Sequence, residues 1–159
     1  MELPQHPRVR PLIVGNLAAL ASPRVASVPL DATLVEALAV MAERDVGAVV
    51  VLDGERVAGV FSERDYARRS PLAGAQATPV SEAMRPGALF ATPEQSVSQC
   101  LALMNAQRLQ YLPVLAGDHL LALLTIDELQ KETIAQYERI FTASALDLKI
   151  LFLQGTYSC

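Results

Sequence analysis

Cysteine and histidine are scarce, with two of each among 159 residues. Cys100 falls on the apolar stripe of a predicted helix, where a small buried hydrophobe is the expected reading, and Cys159 is the last residue. No spacing suits metal ligands and no disulfide framework is expected, so a reducing compartment is expected. His6 lies near the start and His119 in a turn beside Asp118. Neither belongs to a nucleophile–base–orienter set, and no glycine-rich phosphate loop is present, so the sequence points away from catalysis. Charge is also sparse: 19% of residues are charged, the formal net charge is −4, and no Lys/Arg run occurs. A basic face for gripping nucleic acid is therefore not expected, although a single bound nucleotide is compatible with this balance. No apolar run reaches the length that spans a membrane. Arg8 and Arg10 before Ala19-Leu20-Ala21 mimic a cleaved secretory signal, but Glu2, Pro11 and Gly15-Asn16 weaken that reading, and a cytoplasmic location is expected. What fills the chain instead is apolar, 52% of residues, which predicts a well-buried core and an apolar self-interface.

Much of this apolar content is written twice. Sliding the chain against itself by about 63 residues gives a gapless match. Thr33 to Leu38 falls on Ser96 to Leu101, Val46 to Leu52 on Leu109 to Leu115, and Ser62-Glu63-Arg64-Asp65 on Thr125-Ile126-Asp127-Glu128. Extended backwards, the same offset sets Leu17 on Val80 and Pro23 on Pro86, so the lead-in is expected to belong to the first repeat rather than to a discarded signal. Leu34, Ala37, Leu38 and Met41 follow helical spacing, as do Val97, Cys100, Leu101 and Met104. A β-branched run, an Asp53-Gly54 turn and a second run at Val57 to Phe61 predict a hairpin, echoed around Gly117-Asp118. Four capping-box patterns mark helix starts: Thr33/Glu36, Ser62/Asp65, Ser96/Gln99 and Thr125/Glu128. The fold class is thus α/β (α+β), a tandem β-α-β-β-α pattern. The first repeat with its lead-in covers 1–75, the second 76–135, and a helical, apolar tail 136–159, with a linker near 70–79. The tail either packs on its own core or forms a dimer contact.

This doubled pattern resembles the CBS domain pair, or Bateman module. The residues that carry the likeness are Asp31-Ala32-Thr33, Val46-Gly47-Ala48-Val49-Val50-Val51 and Gly59-Val60-Phe61-Ser62-Glu63-Arg64-Asp65-Tyr66 in the first half. Val80-Ser81-Glu82-Ala83-Met84, Leu112-Pro113-Val114 and Leu123-Leu124-Thr125 carry it in the second. The tail is similar to that of small stand-alone bacterial members. The resemblance implies two repeats packed about a pseudo-two-fold axis, two clefts between them, and a homodimer. It further implies an adenosine-containing regulatory ligand, AMP before ATP, NAD(H) or S-adenosylmethionine, with no cofactor required and an unidentified downstream protein as partner.

On that basis the ligand-binding residues are Ser62, Asp65, Arg64, Gly59, Val28, Ala48 and Val49. In the family the S/T-x-x-D acid, here Asp65, holds the ribose hydroxyls; a carboxylate accepts two hydrogen bonds at once. Ser62 sits at a helix start that suits phosphate, Arg64 offers a planar fork, and Gly59 leaves room for close approach. Val28, Ala48 and Val49 would form an apolar slot for the base. The same Ser62/Asp65 spacing is also an ordinary helix cap. A second, weaker site is expected at Thr125, Glu128, Tyr111 and Pro113. There Glu128 stands for the family's Asp, Ala122 for its Gly, and Gln110-Tyr111 for its Arg-His, and Tyr111 is either a base-stacking or a core residue. A ligand-free homodimeric scaffold with degenerate sites is the alternative.

Overall fold

The computed structural model describes residues 10–18, 25–68, 77–87 and 89–155. Arg8, His6, the Ala19-Leu20-Ala21 segment, Pro23, most of the 70–79 linker and Cys159 lie outside the described residues. The first half runs α1 (Val14–Ala18), β1 (Ser27–Pro29), α2 (Leu34–Arg44), β2 (Ala48–Asp53), β3 (Arg56–Ser62) and α3 (Glu63–Arg68). A 3-10 turn (Val80–Glu82) and β4 (Arg85–Pro86) lead into α4 (Val97–Gln107), β5 (Tyr111–Ala116), β6 (His119–Thr125) and α5 (Ile126–Gly155). One sheet has the order β1-β2-β3-β4 and the other pairs β5 with β6. In the second repeat the strand matching β1 is a single parallel bridge from Ala91 to Val114, placed as Val28 is on Val51.

The two halves repeat in detail. Thr33 and Ser96 both cap their helices in reciprocal boxes with Glu36 and Gln99. Asp45 and Arg108 close those helices in the left-handed region, at φ 52° and 54°. The hairpin register slips at Val51/Leu52 and again at Val114/Leu115. Gly54 and Gly117 take positive φ, 62° and 60°, in the tight turns that follow.

Each repeat has its own apolar core, but the lead-ins are exchanged. Val80 and Ala83, which precede the second repeat, are buried with Val28, Met41 and Phe61 in the first core. Val14, which precedes the first repeat, is buried with Met104, Leu112 and Leu129 in the second. Backbone bonds fix both crossings: Val80 N donates to Ala32 O (2.7 Å) and Val14 N to Gln95 O (2.8 Å). These bonds equate Val80 with Val14, so the gapless pairing of Val80 with Leu17 is displaced by three residues, close to one helical turn. A slip of that size keeps the apolar residues on nearly the same helical face, which is why the sequence match tolerated it. Val14 is 0% exposed, so Val14→Ala should cost about 2 kcal/mol in urea denaturation through loss of packing in the distant second core. A change below about 0.5 kcal/mol, the range of ordinary surface substitutions, would show that the crossing is not made.

Candidate functional site

The site grows from the point where β3 becomes α3. Asp65 N donates to Ser62 Oγ (3.3 Å), while Ser62 N (3.0 Å) and Ser62 Oγ (2.8 Å) both donate to Asp65 Oδ2. Glu63 N donates to Gly47 O (3.1 Å), tying the helix start to the start of β2. One carboxylate oxygen of Asp65 is thus spent on the cap. The other, Oδ1, faces Arg85 Nε at 3.8 Å, and the side chain is 12% exposed.

The second repeat supplies the opposite wall. The amide of Gln110, oriented to satisfy both partners, accepts from Arg64 Nη1 and Nη2 at 2.8 and 2.7 Å. Arg85 Nη1 donates to the carbonyl of Arg108 (3.3 Å), so Arg85 touches Asp65 of one repeat and Arg108 of the other. Tyr111 reaches across as well: a Cβ on Gly47 would come within 2.7 Å of its hydroxyl oxygen. Gly47 is therefore the residue that lets the tyrosine cross. Burial pushes the Tyr111 hydroxyl up from its ordinary value and the Glu63 carboxylate adds to this, against a lowering by Arg64. The phenol consequently stays a neutral donor at physiological pH.

Between these walls lies a cavity of about 560 Å³, within the range of small-molecule sites. Val60, Ser62, Arg64 and Asp65 line it from the first repeat. Arg85, Pro86, Gly87 and Leu89 line it from the β4 segment, and Gln107 to Tyr111 with Pro113 from the second repeat. Three arginines therefore share the lining with a single carboxylate, which favours an anionic occupant.

Ser62, Arg64 and Asp65 stand together as the sequence grouped them. Tyr111 and Pro113 join them here, so this cavity takes a helix start from one repeat and a strand start from the other, while Thr125, the register partner of Tyr111, stays outside its lining. Thr125 and Glu128 form a capping box at α5, with Thr125 N to Glu128 Oε2 at 2.9 Å and Glu128 N to Thr125 Oγ1 at 3.1 Å. They do not line the cavity. Val28, Ala48 and Val49 are buried and also absent from the lining; Val28 and Val49 sit in the first core, and Ala48, the neighbour of Val49 on β2, lies on the opposite face of the sheet. Gly59 does provide close approach, but to the β4 backbone, where an added Cβ would meet the Arg85 carbonyl oxygen. Arg85 and Arg108 had no motif to announce them. The available signal was position only, since Arg108 matches the left-handed helix cap at Asp45.

Burial pushes the thiol of Cys100 up from its ordinary value, in keeping with a packing role. Among the described residues no cluster of three or more His, Cys, Asp or Glu side chains could hold a metal ion. No helix among them is long and apolar enough to cross a membrane.

Comparison with known proteins agrees with this architecture. The family model for the CBS domain matches residues 14–71 and 80–134. The chain is 31% identical over 116 residues to the A-adding tRNA nucleotidyltransferase of Geobacter sulfurreducens, covering 73% of this chain but 13% of that protein. It is similar to the solved structure of a CBS-domain protein from Burkholderia ambifaria, with 35% identity and a TM-score of 0.71, covering 77% of this chain and 94% of the other. The crystal structure of CBSX2 in complex with AMP shares the fold at 20% identity and a TM-score of 0.61, covering 78% of this chain and 97% of the other.

Proposed function

The chain belongs to the CBS-domain family, with two copies of the domain, and from that premise we propose that the seam cavity is a regulatory site for an anionic adenosine nucleotide, AMP foremost. The observation that carries this reading is the composition of the lining: the Oδ1 of Asp65, not used by the cap, beside Arg64, Arg85 and Arg108. Oδ1 offers the acceptor that a ribose diol needs, and the arginines offer charge for a phosphate. AMP in the CBSX2 complex supports the ligand class. S-adenosylmethionine carries a sulfonium cation and is disfavoured by the same arginines. The Ser62 hydroxyl is committed to Asp65, which suits a role in holding the helix start beside a bound ligand.

A ligand touching both walls tightens the seam. It regulates only to the extent that it binds the tightened shape better than the relaxed one. A second reading, a ligand-free scaffold, is favoured by one observation: Arg64–Gln110 and Arg85–Arg108 already bridge the seam.

A thermal-shift series with AMP, ATP, NADH and S-adenosylmethionine separates the two. At 100 times its dissociation constant a ligand adds about 2.7 kcal/mol. For a chain of this size that is roughly 5–10 °C in Tm. AMP should give this rise with logarithmic dependence on concentration, and S-adenosylmethionine should not. A Tm unmoved by every nucleotide leaves the scaffold.

A further inference from the structure

The arginines of the seam are not held alike. Arg85 faces the Asp65 carboxylate at 3.8 Å, so part of its charge is answered inside the protein. Arg64 makes no ion pair among the described residues. It stands on the exposed first turn of α3, where an arginine without a partner would sample many rotamers. Gln110 holds it instead, its amide oxygen accepting from Nη1 and Nη2 at 2.8 and 2.7 Å. One oxygen on both terminal nitrogens fixes the direction of the guanidinium and leaves three of its five N–H donors for another acceptor. An amide does this without charge. A carboxylate in the same place would cancel the positive charge that Arg64 brings to the cavity. The holder is fixed in turn: the Gln110 backbone carbonyl accepts from Ile126 N (3.0 Å) where α5 begins, and Tyr111 beside it pairs with Thr125. Arg64 and Gln110 belong to different repeats, and both line the cavity.

We propose that Gln110 is the positioning residue of a phosphate subsite, holding Arg64 across the seam at full charge. This rests on the nucleotide reading of the cavity. The neutrality of the holder is what separates this role from a purely structural bridge. A bridge that served only to close the seam would gain from a carboxylate at position 110, because an arginine–carboxylate pair is stronger than an arginine–amide pair. A phosphate subsite loses by the same change. Since the holder and the arginine it holds come from opposite repeats, the subsite is complete only while the seam is closed. A ligand with a phosphate therefore senses that closure through Arg64, and a bare nucleoside does not. By reciprocity the phosphate strengthens the closure on which its own binding depends.

Isothermal titration of AMP and adenosine against the full chain tests it, with the ligand-free Tm as a second readout. Gln110→Ala frees Arg64 to move, so AMP affinity should fall about 10-fold, and the ratio of AMP to adenosine affinity should fall in step. Gln110→Glu keeps the shape and cancels the charge. Its AMP affinity should fall about 30-fold or more, while its ligand-free Tm stays at or above that of the wild type. In an Arg64→Ala background, Gln110→Ala should change AMP affinity by less than about twofold, because the residue it positions is gone. Three results overturn the proposal: a Gln110→Glu chain that binds AMP as the wild type does, adenosine weakened as much as AMP, or an equal effect of Gln110→Ala with and without Arg64. In each of these the wild type still binds AMP, and the nucleotide reading stands. A wild type that binds neither AMP nor adenosine brings down that reading and this inference with it.

Discussion

Gly59→Ala should cost the protein about 3 kcal/mol and disable the cavity with the same change. Gly59 pairs with Pro86 where β3 meets β4. A methyl there would land on the Arg85 carbonyl oxygen and come within 2.9 Å of the Met84 sulfur. Met84 can turn aside, but a backbone carbonyl held in a ladder cannot, so β4 has to part from β3. Overpacking of this kind costs about 1–3 kcal/mol and occasionally more. The cavity suffers because β4 is the element that carries Arg85 to its place between Asp65 and Arg108. The second repeat provides the control. Ala122 stands at the equivalent position, buried in the second core. Ala122→Gly should cost only about 0.5–1 kcal/mol, the usual penalty of a strand glycine. Urea denaturation gives the stabilities and an AMP titration gives the second effect. If Gly59→Ala were as mild as Ala122→Gly, β4 would not be held against β3 as described.

The contrast between these two positions shows what the sequence revealed. Both copies carry the same local rules, so the helices, hairpins and caps were legible from spacing: Thr33/Glu36, Ser62/Asp65, Ser96/Gln99 and Thr125/Glu128 all form the predicted boxes. Each box closes over four residues and needs no tertiary information. β4 was not legible, because a two-residue strand of Arg85 and Pro86 has no periodicity and exists only through its partner β3. The exchange of lead-ins was hidden for a related reason. Val14 is apolar in either arrangement, and only the tertiary bond to Gln95 shows which core it fills. The arrangement of the cavity lining was hidden at the same level. Tyr111 and Thr125 are partners across one hairpin, and only the tertiary packing shows that Tyr111 lines the cavity beside Ser62, Arg64 and Asp65 of the other repeat. The tail looked like a helix and then a separate apolar stretch, but nothing between Leu129 and Gly155 breaks a helix, and it is continuous.

Asp65→Ala should weaken AMP binding by at least about 100-fold, whereas Glu128→Ala should leave it unchanged. The two carboxylates hold the same cap in the two repeats, each accepting the backbone N–H of the residue that opens its box. Each substitution should therefore cost a similar ~1 kcal/mol of stability. Any difference in binding then reports what Asp65 does beyond capping. Its Oδ1 lies on the cavity side, 3.8 Å from Arg85. A hydrogen bond to a charged acceptor is worth about 1.5–3 kcal/mol, and two from a ribose diol exceed the 2.7 kcal/mol that corresponds to 100-fold. Charge gives the opposite sign for a ligand without ribose. Removing Asp65 leaves Arg64, Arg85 and Arg108 with no carboxylate among the lining residues, so pyrophosphate should bind Asp65→Ala as well as or better than the wild type. Isothermal titration of AMP and pyrophosphate against both variants makes the comparison. Equal losses of AMP affinity in Asp65→Ala and Glu128→Ala would reduce Asp65 to a helix cap, and a parallel loss of pyrophosphate would mean that the substitution had collapsed the cavity and had not removed a ribose contact.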